Sequence, residues 1–252
     1  MVQGWHHQGL LCHRELGVSS SVANSALTMQ PPFSRRDVLL SHNAGLWQGC
    51  FIRLDGTGSE LERFESHLSV ADQNGTIKAA LTNRLTGQVR SMEFDEPPAE
   101  MQISPRGHWS LGPDRIGPWP WVSELCLVWG EQRRRAVIRH NSGGLESLVL
   151  VIEGRPQISK QQLAIPPAPL QLIGRPMGPC ENSTCHSSGD LGLAVFSMAN
   201  RGGHSGLSQS SQQGERVELH WQPAAGIKLV VARQYAAHGL LEPASPEPLG
   251  FP

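Results

Sequence analysis

The chain has 252 residues, a formal net charge of -1, 17% charged residues and 38% hydrophobic ones. That length allows one large domain or two small ones, and the near-neutral balance excludes a broad electrostatic surface for nucleic acid or an anionic membrane. Its 27 glycines and 19 prolines stand well above an average share of about 12% and favour many short elements joined by turns.

Residues 1–33 have little periodicity and carry His6, His7 and His13. They read as a disordered tail or as a non-native extension ahead of a physical start at Met29. They show no apolar core of a secretory signal. "SRRDVLL" (34–40) resembles a twin-arginine export signal only on its surface, because Ser41-His42-Asn43 follows where an apolar core is needed. No run of 18 apolar residues is present, so no transmembrane helix is expected, and the expected location is cytoplasmic.

Residues 34–46 predict one short helix, with Ser34 as N-cap and Asp37 at the third position of a capping box. Gly45 ends it. From Trp47 the pattern changes to short alternating runs. "CFIRL" (50–54) leads into the turn Asp55-Gly56-Thr57-Gly58, and "FESHLSVAD" (64–72) leads into Asn74-Gly75, a strong hairpin signal. "TIKAALTNRL" (76–85) reaches Thr86-Gly87, and "QVRSMEF" (88–94) is stopped by Pro97-Pro98. A loop rich in Gly, Pro and Trp follows. "WVSELCLVWG" (121–130) and "RRRAVIRHN" (133–141) predict a hairpin, and "LESLVLVIEG" (145–154) one more strand. Arg133-Arg134-Arg135 with Arg139 is the one basic run, and it reads as a solvated strand edge. Such strands, spaced by turns, predict an antiparallel barrel or sandwich.

Residues 156–174 are rich in Pro and Gln and read as a linker. Beyond it, "LGLAVFSMA" (191–199), "RVELHWQP" (216–223) and "IKLVVARQYAAHG" (227–239) are strand candidates, "RGGHSGLSQSSQQGE" (201–215) is low in complexity, and the tail 243–252 is too rich in proline for a sheet interior. A faint repeat aligns 123–146 with 217–242 and sets Arg139 against Arg233. The expected organisation is a first barrel over 34–155, a linker over 156–174, a second and shorter or incomplete barrel over 175–242, and a disordered tail.

Chemistry-bearing patterns are sparse. The glycines of "HNAGLWQGCFIRLDGTG" (42–58) are followed by a strand and have no Lys, so they make no phosphate loop. The cysteines at 12, 50, 126, 180 and 185 are odd in number and irregular in spacing, which suggests neither a disulfide framework nor a four-ligand zinc site. Cys180, Cys185 and His186 form at most a half-site, and no metal and no cofactor are expected. A nucleophile would need Cys50 with His42, or Cys126 with His140. Each Cys lies in an apolar run that reads as core. Glu93, Asp95, Glu96 and Glu100 cluster beside Pro97-Pro98 as a solvated loop. No catalytic centre is expected.

Gly45-Leu46-Trp47 opens the first strand. A tryptophan there either closes one end of a small barrel or is an ordinary core aromatic. In the closing role an arginine from a late strand stacks on its ring; Arg139 is the first candidate and Arg135 the second. Trp109, Trp119, Trp121 and Trp129 crowd one stretch. They would plug the barrel, contact a partner protein, or wall a cavity for an apolar ligand.

The G-x-W at Gly45–Trp47 resembles the entry signature of lipocalin-like (calycin) barrels. "HNAGLWQGCFIRLDGTG", "WSLGPDRIG" and "QRRRAVIRHNSGGLESLVLVIEG" resemble a family of uncharacterised proteins in cyanobacteria and plants, whose plant relatives include a chloroplast biogenesis factor for ATP synthase. The resemblance covers 38–155, extends weakly over 216–241, and lacks a second G-x-W; Gly174-Arg175-Pro176 stands where one belongs. It implies an all-β chain with two lipocalin-like antiparallel barrels in tandem, the second degenerate. It implies a non-enzymatic assembly or chaperone-like factor of a photosynthetic organism, acting by protein contact on subunits of the ATP synthase head. Two alternatives are a carrier of a hydrophobic or tetrapyrrole ligand in the first barrel and a bilin lyase-like protein.

Overall fold

The helix forms where the capping box places it. In the computed structural model, which describes residues 34–141, 144–176, 183–188, 191–196 and 215–244, α1 spans Arg35–Asn43. The Ser34 hydroxyl accepts from the Asp37 amide at 3.1 Å, which satisfies one of the free donors of the first turn. Gly45, at φ +103°, turns the chain out of the helix and into the first strand.

Nine strands follow: β1 Gly45–Asp55, β2 Glu60–Gln73, β3 Thr76–Asn83, β4 Val89–Phe94, β5 Gln102–Ile103, β6 Trp109–Leu111, β7 Trp121–Trp129, β8 Gln132–Asn141 and β9 Gly144–Gly154. They form one antiparallel sheet in the order β4-β3-β2-β1-β9-β8-β7-β6-β5. Asn74 and Gly75 both take positive φ, 56° and 91°, as the two-residue hairpin turn requires. β5 and β6 lie in the Gly/Pro/Trp loop, where the sequence showed no strand.

The sheet curls into a half-barrel. Ile77 of β3 and Trp109, Cys126 and Val128 of β6–β7 stand far apart in the strand order, yet they share one apolar cluster with Leu39 of α1. The helix bridges the open side. Arg36 pairs with Asp72 at 2.8 Å and donates to the carbonyls of Gly75 and Asp95. Arg35 donates to the carbonyls of Pro98 and Met101.

The convex face carries Cys50, Ile52 and Leu54 of β1, Leu150 and Ile152 of β9, Ala136 and Ile138 of β8, and Leu125 and Leu127 of β7. These pack against a second sheet through Val217, Leu219, Trp221 and Leu229. That sheet has the order β10-β11-β12-β13-β14, with β10 Ile173–Pro176, β11 Ser183–Ser188, β12 Leu191–Phe196, β13 Arg216–Ala224 and β14 Ile227–Gln234. Among the described residues it is open, with no pairing between β10 and β14. The segment read as a linker contributes Leu163, Leu170 and Leu172 to the shared core and exchanges backbone hydrogen bonds with the β1–β2 turn, Glu60 to Leu170 and Leu172 to Gly58. All described residues belong to one compact unit. The expectations for 1–33, 201–214 and 245–252 lie outside the described residues. Among those described, no helix is long and apolar enough to cross a membrane.

Candidate functional site

The helix end, β1, β6, β8 and β9 converge at one end of the curl. Trp47 is 1% exposed, and its indole nitrogen donates to the Asn43 carbonyl at 2.9 Å. Two guanidinium groups stack on its ring: Arg155, 3.9 Å from the centroid, and Arg133, at 4.2 Å. Desolvated contacts of this kind are worth about 2 kcal/mol each. Arg139 is not among them. It pairs in register with Ser147 and Val122 at the far end of β8 and is exposed. Arg135 lies over a different ring, Phe51, at 5.6 Å. The stacking partner from β8 is therefore Arg133 rather than Arg139 or Arg135, because alternation along β8 sets the three on one face but only Arg133 is level with Trp47.

A charge ladder runs from there across the concave face. The carboxylate of Glu153, 0% exposed, accepts from Arg133 Nε at 2.6 Å and from Arg135 Nη2 at 3.0 Å. Arg135 Nη1 donates to Glu124 at 2.6 Å. Burial by itself would raise the Glu153 carboxyl, but the field of Arg133 and Arg135 and their hydrogen bonds hold it down at about 2. Asn43 closes the cluster. Its Oδ1 accepts from Trp109 Nε1 at 3.2 Å and Arg133 Nη1 at 3.4 Å, and its Nδ2 donates to the Gly107 carbonyl at 3.2 Å.

The four clustered tryptophans do not form one wall. Trp109 is buried on the concave side and plugs this end beside Asn43. Trp121 is buried on the opposite face, its ring stacked on His140 at 3.9 Å. Trp119 and Trp129 are 50% and 41% exposed.

The thiols do not meet the proposed bases. Cys50 packs in the convex core, away from His42, which lies against Gly107. Cys126 faces inward while His140 faces outward, and burial pushes the Cys126 thiol up to about 12. Both thiols are free and, with burial raising each, protonated at neutral pH. Glu93 pairs with Lys78 and Asp95 accepts from Thr76, all in solvent. Cys180 lies outside the described residues, as does the side chain of Cys185. No cluster of three or more metal-ligating side chains occurs among the described residues.

Asn43, Arg133, Glu153 and Arg155 carry this site beside Trp47; of these the sequence patterning singled out only Arg133, in a basic run read as a solvated strand edge, whereas Arg133 and Arg134 are both 2% exposed because each stacks on a buried tryptophan. The one sequence signal for the others was Glu153 itself, an acid at the end of an apolar strand.

Residues 34–158 match a family described as a domain of unknown function (DUF3598), N-terminal. A solved structure of a DUF3598-family protein of unknown function from Nostoc punctiforme PCC 73102 superposes with a TM-score of 0.60 at 19% identity, covering 83% of this chain and 96% of that one; this likeness concerns the fold alone. No curated protein matches the sequence.

Proposed function

Residues 34–158 belong to the DUF3598 family as its N-terminal domain, and from that premise we propose that the chain is a non-enzymatic docking protein that binds another protein along the outer strand of its first sheet. One observation carries this reading. β4 is the terminal strand of the nine-stranded sheet, and five of its six residues are exposed. Val89 and Met92 on it and Leu85 in the turn before it are 56%, 60% and 81% exposed. An unpaired strand edge with apolar side chains on it is a template for an added strand from a partner.

The partner proposed is a subunit of the soluble catalytic head of ATP synthase, by the resemblance to the cyanobacterial and plant family; a lipocalin-like (calycin) origin of the half-barrel is part of the same proposal. In the test, the tagged full chain is mixed with purified head subunits from a cyanobacterium. Co-elution is expected, and the triple change Leu85→Asp, Val89→Asp, Met92→Asp should abolish it while leaving the thermal midpoint in place, since all three are exposed. Failure of any head subunit to co-elute overturns the proposal.

A second reading, a carrier or lyase of a hydrophobic or tetrapyrrole ligand, draws on the half-buried pair Phe51 and Phe64, stacked at 5.1 Å on the concave face, with Arg135 over Phe51. Titration with a free bilin followed by visible absorbance tests it, and an unchanged spectrum removes it.

A further inference from the structure

Between the edges of the two sheets, where β5 and β6 approach β13 and β14, lies a cleft of about 540 Å³. That volume is within the range of about 300–1,000 Å³ typical of small-molecule sites. Its polar wall follows from strand alternation. Val217, Leu219 and Trp221 of β13 enter the core, so Arg216, Glu218 and His220 must face the other way, into the cleft.

These three side chains are already organised. Glu218 uses both oxygens within the protein: Oε1 accepts from Arg216 Nε at 2.5 Å and Oε2 pairs with His220 Nε2 at 2.8 Å. Hydrogen bonds from His220, and then from Arg216, hold its carboxyl below the usual range against the opposing effect of burial. Arg216 Nη1 donates to Gln234 Oε1, which turns the Gln234 amide nitrogen outward. Both Glu218 oxygens are thus engaged, and the groups that face the cleft beside them are Arg216 Nη2, Gln234 Nε2 and the second ring nitrogen of His220. Two of these are donors, and the third becomes one when the ring is protonated. The remaining wall is mainly apolar, with Val230, Ala232, Ile103 and Pro105, and it carries one further carboxylate, Glu242.

We propose that this cleft binds a small organic carboxylate, with its anionic end on Arg216, Gln234 and His220 and its hydrocarbon body against Val230, Ala232 and Ile103. A planar guanidinium already fixed by Glu218 and Gln234 loses little freedom when it takes a carboxylate, and charge-assisted contacts are about twice as strong as neutral ones. The site is separate from β4, so it stands or falls independently of the docking reading.

The test is amide-resolved NMR of the full chain titrated with hexanoate and benzoate, and with the neutral hexanamide and benzamide. Both carboxylates should shift the amides of Val230, Ala232 and Gln234 and bind about tenfold or more tighter than their amides. Arg216→Gln should erase that difference. Val230→Trp, at a position 38% exposed, should block the cleft and abolish the shifts with the fold intact. No shift with either carboxylate, equal binding of carboxylate and amide, or a preference that survives Arg216→Gln would each overturn the proposal.

Discussion

Arg133 and Arg134 are consecutive on β8, yet their guanidinium groups stack on tryptophans on opposite sides of the sheet. Arg133 lies 4.2 Å over Trp47 on the concave face, and Arg134 lies 4.4 Å over Trp221 of the second sheet. Both are 2% exposed. Strand alternation alone produces this arrangement, and it makes one dipeptide fasten both halves of the structure.

The two arginines differ in what they leave behind when removed. Arg133→Met leaves Glu153 buried with only Arg135 to compensate it, and breaking a buried ion pair from one side costs about 3–5 kcal/mol. Arg134→Met loses a stack and the hydrogen bond to the Leu163 carbonyl at 2.8 Å. Its hydrogen bonds to the Arg133 carbonyl at 3.1 Å and to Gln132 Oε1 at 3.3 Å go with it, and these acceptors are neutral, so the cost should be about 1–3 kcal/mol. Urea unfolding of both variants measures this, and a larger loss at Arg134 would contradict the assignment.

The long strands, their hairpins and the helix cap were legible in the sequence, because Asn74-Gly75, Ser34 with Asp37, and the alternating runs are local signals. The partner of Trp47 was not legible. β8 and β9 shift register between Arg139 and His140. An unbroken hairpin would have set Arg133 opposite Ile152, on the apolar face, whereas the bulge sets it opposite Glu153. A bulge moves every later pair by one residue, and nothing in "RHNSGGLE" (139–146) announces it. The packing of 156–172 was equally hidden. Its prolines read as a linker, while Leu163, Leu170 and Leu172 are too widely spaced to show a period.

Glu153 should control acid stability. Its carboxyl is held at about 2 in the folded chain, against about 4.3 unfolded. The folded value is the lower one, so its contribution is complete above about pH 4.3 and is lost as the pH falls toward 2. Glu153→Gln should be destabilised at neutral pH, and its stability should fall less steeply than that of the wild type through that window. A variant that keeps the wild-type slope between pH 4 and pH 2 would show that another carboxylate is responsible.

His140 should act in a different window. It is buried against Trp121, and burial pushes its imidazole down to about 4, against about 6.5 unfolded. Below pH 6.5 the unfolded chain takes up the proton first, so stability is full above that pH, declines toward pH 4 and levels off below it. The whole decline is worth ~3 kcal/mol. The Nδ1 atom has no hydrogen-bond partner. His140→Phe, which keeps an aromatic face on Trp121, should therefore remove the slope between pH 6.5 and pH 4 without loss of stability at pH 7. Thermal midpoints across the series read this directly.

Gly49 gives the sharpest steric prediction. It sits on β1 directly opposite Glu153, and its φ is not in the positive range, so backbone strain is not the issue. Space is: a Cβ there would drive into the Ile152 carbonyl oxygen and stand 2.8 Å from Glu153 Cα and 2.9 Å from its Cγ. The first two are backbone atoms of a central strand and cannot swing away as a side-chain tip does. Gly45→Ala meets Arg155 Nη1, the end of a flexible side chain, and adds the strain of φ +103°, together about 1–3 kcal/mol. Gly49→Ala must instead part β1 from β9 beneath the Arg133–Glu153 pair, so it should cost more than Gly45→Ala, ~4 kcal/mol or beyond, the range of the most damaging single changes. Denaturant unfolding of the two variants side by side decides it. A Gly49→Ala protein as stable as wild type would mean that β1 and β9 are not paired in this register.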